Sequence, residues 1–219
     1  MRKLKFVKGE FYHIYNRGVD KRNIFNNEYD VKRFLQSMDE FNTVKPIGSL
    51  FENSFVSEEI KSKRRSKQLV NFISYCLNPN HYHFILEESM DGGISRFIHR
   101  LSGGYTWYFN QHNKRSGALF QGKFKAKHID SNEYLLNASI YVNLNYKVHQ
   151  LGGRAAKLVK SSWEEYIGSN AEISICKEKI ILNQFKNKSE YKAFALETMP
   201  ILIEKKEKEK EFVDLFIED

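Results

Sequence analysis

The spacing of apolar positions changes several times along the chain, and each change predicts an element. Phe11-Tyr12-His13-Ile14-Tyr15 is a run of β-formers that stops at Asn16-Arg17-Gly18, so a first strand and a turn are expected. Asn27 stands where a helix cap belongs, and Val31, Phe34, Leu35, Met38 and Phe41 follow at helical spacing. That helix faces the core and stops before Pro46 and Gly48. Residues 69–77 and 82–87 read as two strands around Asn78-Pro79-Asn80, or as one strand with a bend. After Asp91-Gly92-Gly93 a second amphipathic helix carries Ile94, Phe97, Ile98, Leu101, Tyr105 and Phe109 on one side, with a kink expected at Gly103-Gly104. Its opposite side carries Arg96, His99 and Arg100. Tyr105 falls on the apolar stripe and is assigned to packing; Tyr108 has no ligand-like neighbour in the sequence.

Further on, Lys123, Lys125 and Lys127 alternate with Phe124 and Ala126, which predicts a strand with one basic face. Asp130 followed by Glu133 reads as a capping box, and Leu136, Ile140 and Leu144 give the helix behind it a buried stripe. Tyr141 and Asn145 are four apart and share a neighbouring face of that helix. Beyond Gly152-Gly153 the chain becomes more charged. Trp163 and Tyr166 are expected to dock on the main domain, residues 173–185 and 191–203 to form short helices, and 204–211 to form a mixed-charge helix or a solvated extension that ends in an apolar patch around Phe216 and Ile217. His128 and His149 read as structural or surface residues, and His13 as a strand histidine facing a neighbour.

Composition narrows the class. With 219 residues and 41% hydrophobic content the chain can bury one good core with room for a small appendage. A net charge of +8 and a sequence pI of about 9.3 favour a polyanionic partner. Twelve Tyr and seventeen Phe suit base stacking and core packing equally well. Two cysteines, Cys76 and Cys176, support neither a disulfide framework nor a CxxC metal site, and a cytoplasmic protein is expected. No apolar run approaches the roughly 18 residues of a membrane helix, so no membrane partner is expected.

The candidate chemistry centres on His81-Tyr82-His83. In a strand the two imidazoles share a face, about 6–7 Å apart, and both can reach one divalent cation while Tyr82 points the other way. Two ordinary strand histidines are the plainer reading of so short a motif. Arg17, with Lys21 and Arg22 close behind, stands where a loop could meet a phosphate.

Asn80-His81-Tyr82-His83-Phe84, preceded by Leu77 and Pro79, resembles the His-hydrophobe-His ("HUH") motif of single-tyrosine transposases, in particular the REP-associated tyrosine transposase and insertion-sequence transposase-like branch. Other stretches fit in the same order: 12–18 resembles the first strand with its Asn-Arg-Gly turn, 116–124 the Gly-Gln-Gly segment, 134–145 the helix that carries the catalytic tyrosine, and 161–166 a Trp-containing stretch downstream. The resemblance spans roughly residues 8–168. It implies an α+β, ferredoxin-like (RRM-like) fold, an antiparallel sheet with helices on one face, plus a short helical C-terminal extension. Its expected division is a transposase domain over 1–151, with a basic insertion at about 44–68, and the extension over 152–219. Within the insertion, Lys61-Ser62-Lys63-Arg64-Arg65-Ser66-Lys67 is expected to be a solvated loop, with a DNA-contacting arm as the second reading.

Carried over by position, Tyr141 matches the nucleophile, His81 and His83 match two metal ligands, and Asn145 matches the place of a third. The family's cofactor is a divalent metal, Mg2+ or Mn2+. Its partner is single-stranded or hairpin DNA, with Arg17, Lys21, Arg22, Arg96, Arg100, Lys123, Lys125 and Lys127 as candidate DNA contacts. A homodimer stays open. Tyr146 stands where the family has a proline, Lys147 where arginine is common, and Asn78 where Met is frequent. The implied activity is DNA cleavage and strand transfer through a 5′-phosphotyrosine. Two alternatives remain at this stage: a non-catalytic nucleic-acid-binding module of the same fold, and a phosphodiesterase that uses a metal-bound water.

Overall fold

The computed structural model describes residues 4–148, 153–168 and 174–215. Pro79-Asn80 forms a two-residue turn between β2 (Val70–Asn78) and β3 (His81–Glu88), so the two-strand reading holds and the pair is an antiparallel hairpin. On the other side of β3 lies β1 (Phe11–Arg17), then β4 (Lys125–Ile129); the short β5 (Lys160–Ser161) pairs with β2. The sheet therefore runs β4-β1-β3-β2-β5, antiparallel throughout. The helices are α1 (Glu28–Glu40), α2 (Leu50–Ser54), α3 (Glu58–Arg65), α4 (Gly93–His112), α5 (Asn132–Asn143), α6 (Asn145–Val148), α7 (Gly153–Lys157), α8 (Trp163–Ile167), α9 (Lys179–Leu182) and α10 (Lys188–Leu215).

Strand alternation divides the core. Tyr12 and Ile14 of β1, Tyr82, Phe84 and Leu86 of β3, and Tyr75 and Leu77 of β2 pack against Phe34 and Met38 of α1 and Phe97, Leu101 and Tyr105 of α4. The opposite face presents Ile73, Cys76, Ile85 and Ile129 to α5 and to Trp163, Tyr166, Ile181 and Tyr191 of the C-terminal helices. The ferredoxin-like sheet with α1 and α4 on one face is as the sequence predicts; to this the structure adds a second layer, in which α5 and the extension cover part of the other face. Trp163 and Tyr166 dock there, and the Tyr166 hydroxyl donates to Ile73 O at 2.6 Å.

A bulge in β2 sets the register that matters. Phe72 lies opposite Leu86 and Ser74 opposite Ile85, so Ile73 is the extra residue. Past the bulge, Cys76 pairs with His83 and Asn78 with His81. Because side-chain direction alternates, that one residue decides that Cys76 and Asn78 share the histidines' face, with Tyr75 and Leu77 in the core.

Several elements differ from expectation. β1 continues through Asn16 and Arg17, because Arg17 stays paired with His81, and a 3-10 turn at Val19–Lys21 follows. The basic run is helix α3: Glu58 and Glu59 in its first turn and Lys63, Arg64 and Arg65 in its last complement the helix dipole. Arg65 also pairs with Asp39 at 3.1 Å and Arg64 donates to Asn53 at 2.7 Å, which ties the helix down. The cap of α5 is Ser131, whose hydroxyl accepts from Tyr134 N, in place of Asp130. Leu136 is half-buried, and the covered positions are Leu135, Ala138, Ser139, Ile140, Val142 and Asn143, because α5 is packed on two sides. α9 is only four residues long, and α10 runs as one helix through Pro200. The expectations for His149, Gly152, residue 173, Phe216 and Ile217 fall outside the described residues.

α4 runs unbroken through Gly103-Gly104, and the two glycines differ. A Cβ at Gly104 would stand 2.8 Å from the Phe41 ring, whereas a Cβ at Gly103 would meet open space. Gly103→Ala is expected to raise unfolding stability by about 0.5–1 kcal/mol. Gly104→Ala is expected to lower it by on the order of 1–3 kcal/mol through overpacking. Denaturant unfolding of both variants checks the pair; equal effects would contradict this packing.

Candidate active site

The sheet register builds the site. Directly opposed residues in antiparallel strands share a face. Tyr15 opposite His83, Arg17 opposite His81, and Lys125 and Lys127 opposite Tyr15 and His13 therefore all project beside the two histidines. Over this face lies α5, which brings in Tyr141; its ring stands edge-on to His83 with centroids 5.7 Å apart. The helix closes at Leu144, so Asn145 opens α6, and the one-turn relation to Tyr141 is interrupted by a helix boundary.

Asn145 is fully buried, and its Oδ1 lies 3.3 Å from His81 Nε2. Asn78 Nδ2 donates to Asn145 Oδ1 at 2.7 Å and contacts His81 Nε2 at 2.9 Å. An amide nitrogen can only donate, so His81 Nε2 is the acceptor and Nδ1 carries the proton, given to Asn80 Oδ1 at 2.6 Å. Asn78 is oriented in turn by Cys76, whose thiol donates to Asn78 Oδ1 at 3.7 Å. Burial pushes the Cys76 thiol up to about 12, so it stays a donor. The backbone N–H of Tyr146 reaches the same sulfur, a bond that the family's proline could not make.

His83 has a different neighbour. Its Nδ1 lies 2.8 Å from His13 Nε2, and the two rings meet edge to edge, their planes 22° apart and their centroids 5.0 Å apart. Burial, with the Lys127 charge adding to it, lowers His13 to about 4, so its ring is neutral near pH 7.

An open cleft of about 590 Å³ is lined by Tyr15, Asn16, Arg17, Lys21, Asn80, His81, His83, Gln121, Lys125 and Tyr141. Residues 7–145 match the family described as IS200-like transposase. The chain belongs to that family. Among solved structures, a REP-associated tyrosine transposase solved bound to a REP hairpin shares the fold at 13% sequence identity and a TM-score of 0.52. The match covers 81% of this chain and 96% of that one. No curated protein matches.

Of the cations expected from the sequence, the transposase fold gathers Arg17, Lys21 and Lys125 around the histidines and Tyr141. Arg17 donates to the Gln121 side chain, and Asn80 donates to Lys21 O at 3.1 Å, tying the loop after β1 to the hairpin turn. Lys21 and Asp20 both have left-handed backbones, at φ 58° and 53°, a strain held at the rim of the cleft. Lys127 lies over the Tyr134 ring at 5.0 Å, and Lys123 lines a neighbouring groove beside Trp107 and Phe124. The remaining three lie elsewhere: Arg22 pairs with Asp20, Arg96 contacts Met90 and Asp91, and Arg100 donates to Thr43 O at 2.6 Å. Tyr105 is buried and donates to Ile24 O, and Tyr108 contacts Asp30. The sequence reads His13 as a strand histidine facing a neighbour in preference to a site residue, and it assigns no site role to Tyr15, Asn78 or Gln121. The parity of His13 with Tyr15 and Arg17 was the available signal for the first two. No helix among the described residues is long and apolar enough to cross a membrane.

A neutral His13 gives a pH dependence with a definite sign. The unfolded chain takes up this proton near 6.5 and the folded chain only near 4. The associated stability is complete above the higher value and is lost as pH falls toward the lower. Imidazole NMR titration is expected to place His13 near pH 4; an ordinary value would contradict the buried pairing with His83.

Proposed function

We propose that this IS200-like transposase cuts and rejoins single-stranded DNA, including hairpin-flanked strands, with Tyr141 as nucleophile. The observation that carries this reading is the cleft, in which Tyr141, His81 and His83 stand beside three cations and, among the described lining residues, no carboxylate. A polyanion enters such a site without repulsion, and positive side chains at its rim hold phosphates. The solved relative's hairpin complex supports hairpin DNA as the substrate class.

In this reading the Tyr141 oxygen attacks the scissile phosphorus. A Tyr–O–P bond forms at the 5′ end, the P–O3′ bond breaks, and the phenol proton is lost while the departing oxygen becomes a 3′-hydroxyl. The reverse attack by a 3′-hydroxyl rejoins strands and releases the tyrosine. The reaction exchanges one phosphodiester for another, so no nucleotide energy source is required. Arg17, Lys21 and Lys125 hold the strand's phosphates, and the edge-on packing of Tyr141 against His83 fixes the phenol over the cleft floor.

A divalent ion, Mg2+ or Mn2+, would be held by His81, His83 and Asn145. Among the described residues no three His, Cys, Asp or Glu side chains gather to hold a metal, and in this reading the third protein donor is the Asn145 amide oxygen. The residues fit. His81 Nε2 and Asn145 Oδ1 stand 3.3 Å apart, a separation suited to two ligands of one ion at about 2.1 Å each, and both turn a lone pair toward the same N–H donor, the neutral Asn78 amide. When bound, such an ion polarises the scissile phosphate, and three neutral ligands leave its charge undiminished. Residues 1–151 form the catalytic domain in this account. The extension from 152 braces α5, through Ser162 to Asn143 at 2.5 Å and Asn143 to Tyr191 at 3.0 Å.

The test is a labelled single-stranded hairpin DNA incubated with Mn2+ and resolved on a denaturing gel. A protein–DNA band that disappears in Tyr141→Phe and in EDTA, with DNA binding retained by the variant within about twofold, is the expected result. Cleavage that persists in Tyr141→Phe would favour a metal-bound water as nucleophile. Binding with neither adduct nor cleavage would favour a non-catalytic module.

A further inference from the structure

His13 lies outside the set of groups so far given a role, yet its Nε2 stands 2.8 Å from His83 Nδ1. We propose that His13 is a positioning residue that fixes the tautomer of His83, keeping the Nε2 lone pair of His83 for a divalent cation. The inference rests on the reading of His83 as a metal ligand given above.

The argument is one of proton placement. A contact of 2.8 Å between His13 Nε2 and His83 Nδ1 is a hydrogen bond, so one nitrogen carries the proton and the other accepts it. Two neutral arrangements satisfy it. If His13 donates, His83 accepts at Nδ1, carries its own proton on Nε2, and has no lone pair for a metal. If His83 donates from Nδ1, its Nε2 is unprotonated and can ligate. Metal binding at His83 therefore requires His13 to be the acceptor.

His81 shows the same design with another partner, since its Nδ1–H is held by Asn80 Oδ1 at 2.6 Å and its Nε2 faces Asn145. Metal-binding histidines commonly donate the second ring N–H to a fixed acceptor, which sets ring orientation as well as tautomer. At His83 that acceptor is an imidazole. It is fixed in place: His13 lies opposite Ile85 in the β1–β3 ladder, and its ring packs on Tyr15 at 5.0 Å and edge-on to Tyr141 at 6.1 Å. Tyr15 also stacks on His83 at 5.6 Å, which holds the two imidazoles in register.

Long-range proton–nitrogen NMR of the full-length, metal-free protein reads the tautomer directly, and Mn2+ titration reads the consequence. Wild type is expected to show His83 as the single Nδ1–H form. His13→Phe removes the acceptor and is expected to lose that single form and to weaken Mn2+ binding about 10–100-fold. His13→Gln places an amide oxygen near the same point and is expected to restore most of both, which a merely structural role would not require. An Nε2–H form of His83 in wild type overturns the proposal, as does a His13→Phe variant that binds Mn2+ like wild type. Should His83→Ala bind Mn2+ normally, the metal reading of the cleft fails and this inference with it. A normal loss in His83→Ala beside an unaffected His13→Phe removes the role of His13 alone.

Discussion

The pairing of β2 with β3 is the constraint on which the site depends. A two-residue turn fixes one end of the hairpin and the extra residue Ile73 fixes the other. Between them, Asn78 and Cys76 are delivered to the face that carries His81 and His83. A slip of one residue would turn Tyr75 and Leu77 to the histidines' face and bury an amide and a thiol among Phe34, Phe97 and Leu101, leaving the amide without a partner. Apolar packing of α1 and α4 against one face of the sheet thus fixes the polar register on the other.

On that polar face, proton positions are set by a chain of neutral groups. The Cys76 thiol orients Asn78, Asn78 orients Asn145 and assigns the proton of His81, and Asn80 completes the assignment. None of these groups is charged, so the network can be buried without the desolvation cost of ions. Formal charge is kept at the rim, on Arg17, Lys21 and Lys125, where water still solvates it and a phosphate can reach it. The extension adds stiffness from behind: Ser162 and Tyr191 hold Asn143, two residues after Tyr141 and two before Asn145. Placement of the tyrosine and of the amide is thereby coupled to the docking of Trp163, Tyr166 and Tyr191.

Much of this was legible in the sequence because it is local. The His-x-His spacing gives a shared face from strand alternation alone, and the stripes of α1 and α4 follow from helical spacing. What was not legible depended on partners far away in the chain. His13 looks like any strand histidine until β1 pairs with β3 and brings His83 beside it. Arg100 looks like a free cation until it caps the carbonyls of Thr43 and Val44. α3 buries no residue, so it offers no apolar periodicity, and only its charge order and its contacts to Asp39 and Asn53 reveal a helix. Asp130 and Ser131 both suit a cap by composition, and only the folded chain shows that it is the Ser131 hydroxyl that accepts from Tyr134 N.

The central claim is that Tyr141 is the group that joins covalently to DNA. The most direct measurement is to trap the protein–DNA adduct, digest both components, and locate the attached nucleotide by tandem mass spectrometry. The account predicts a nucleotide linked through its 5′ phosphate to the peptide that contains Tyr141. A nucleotide on another residue, Tyr15 in the same cleft being the nearest rival, or a linkage through a 3′ phosphate, would contradict it.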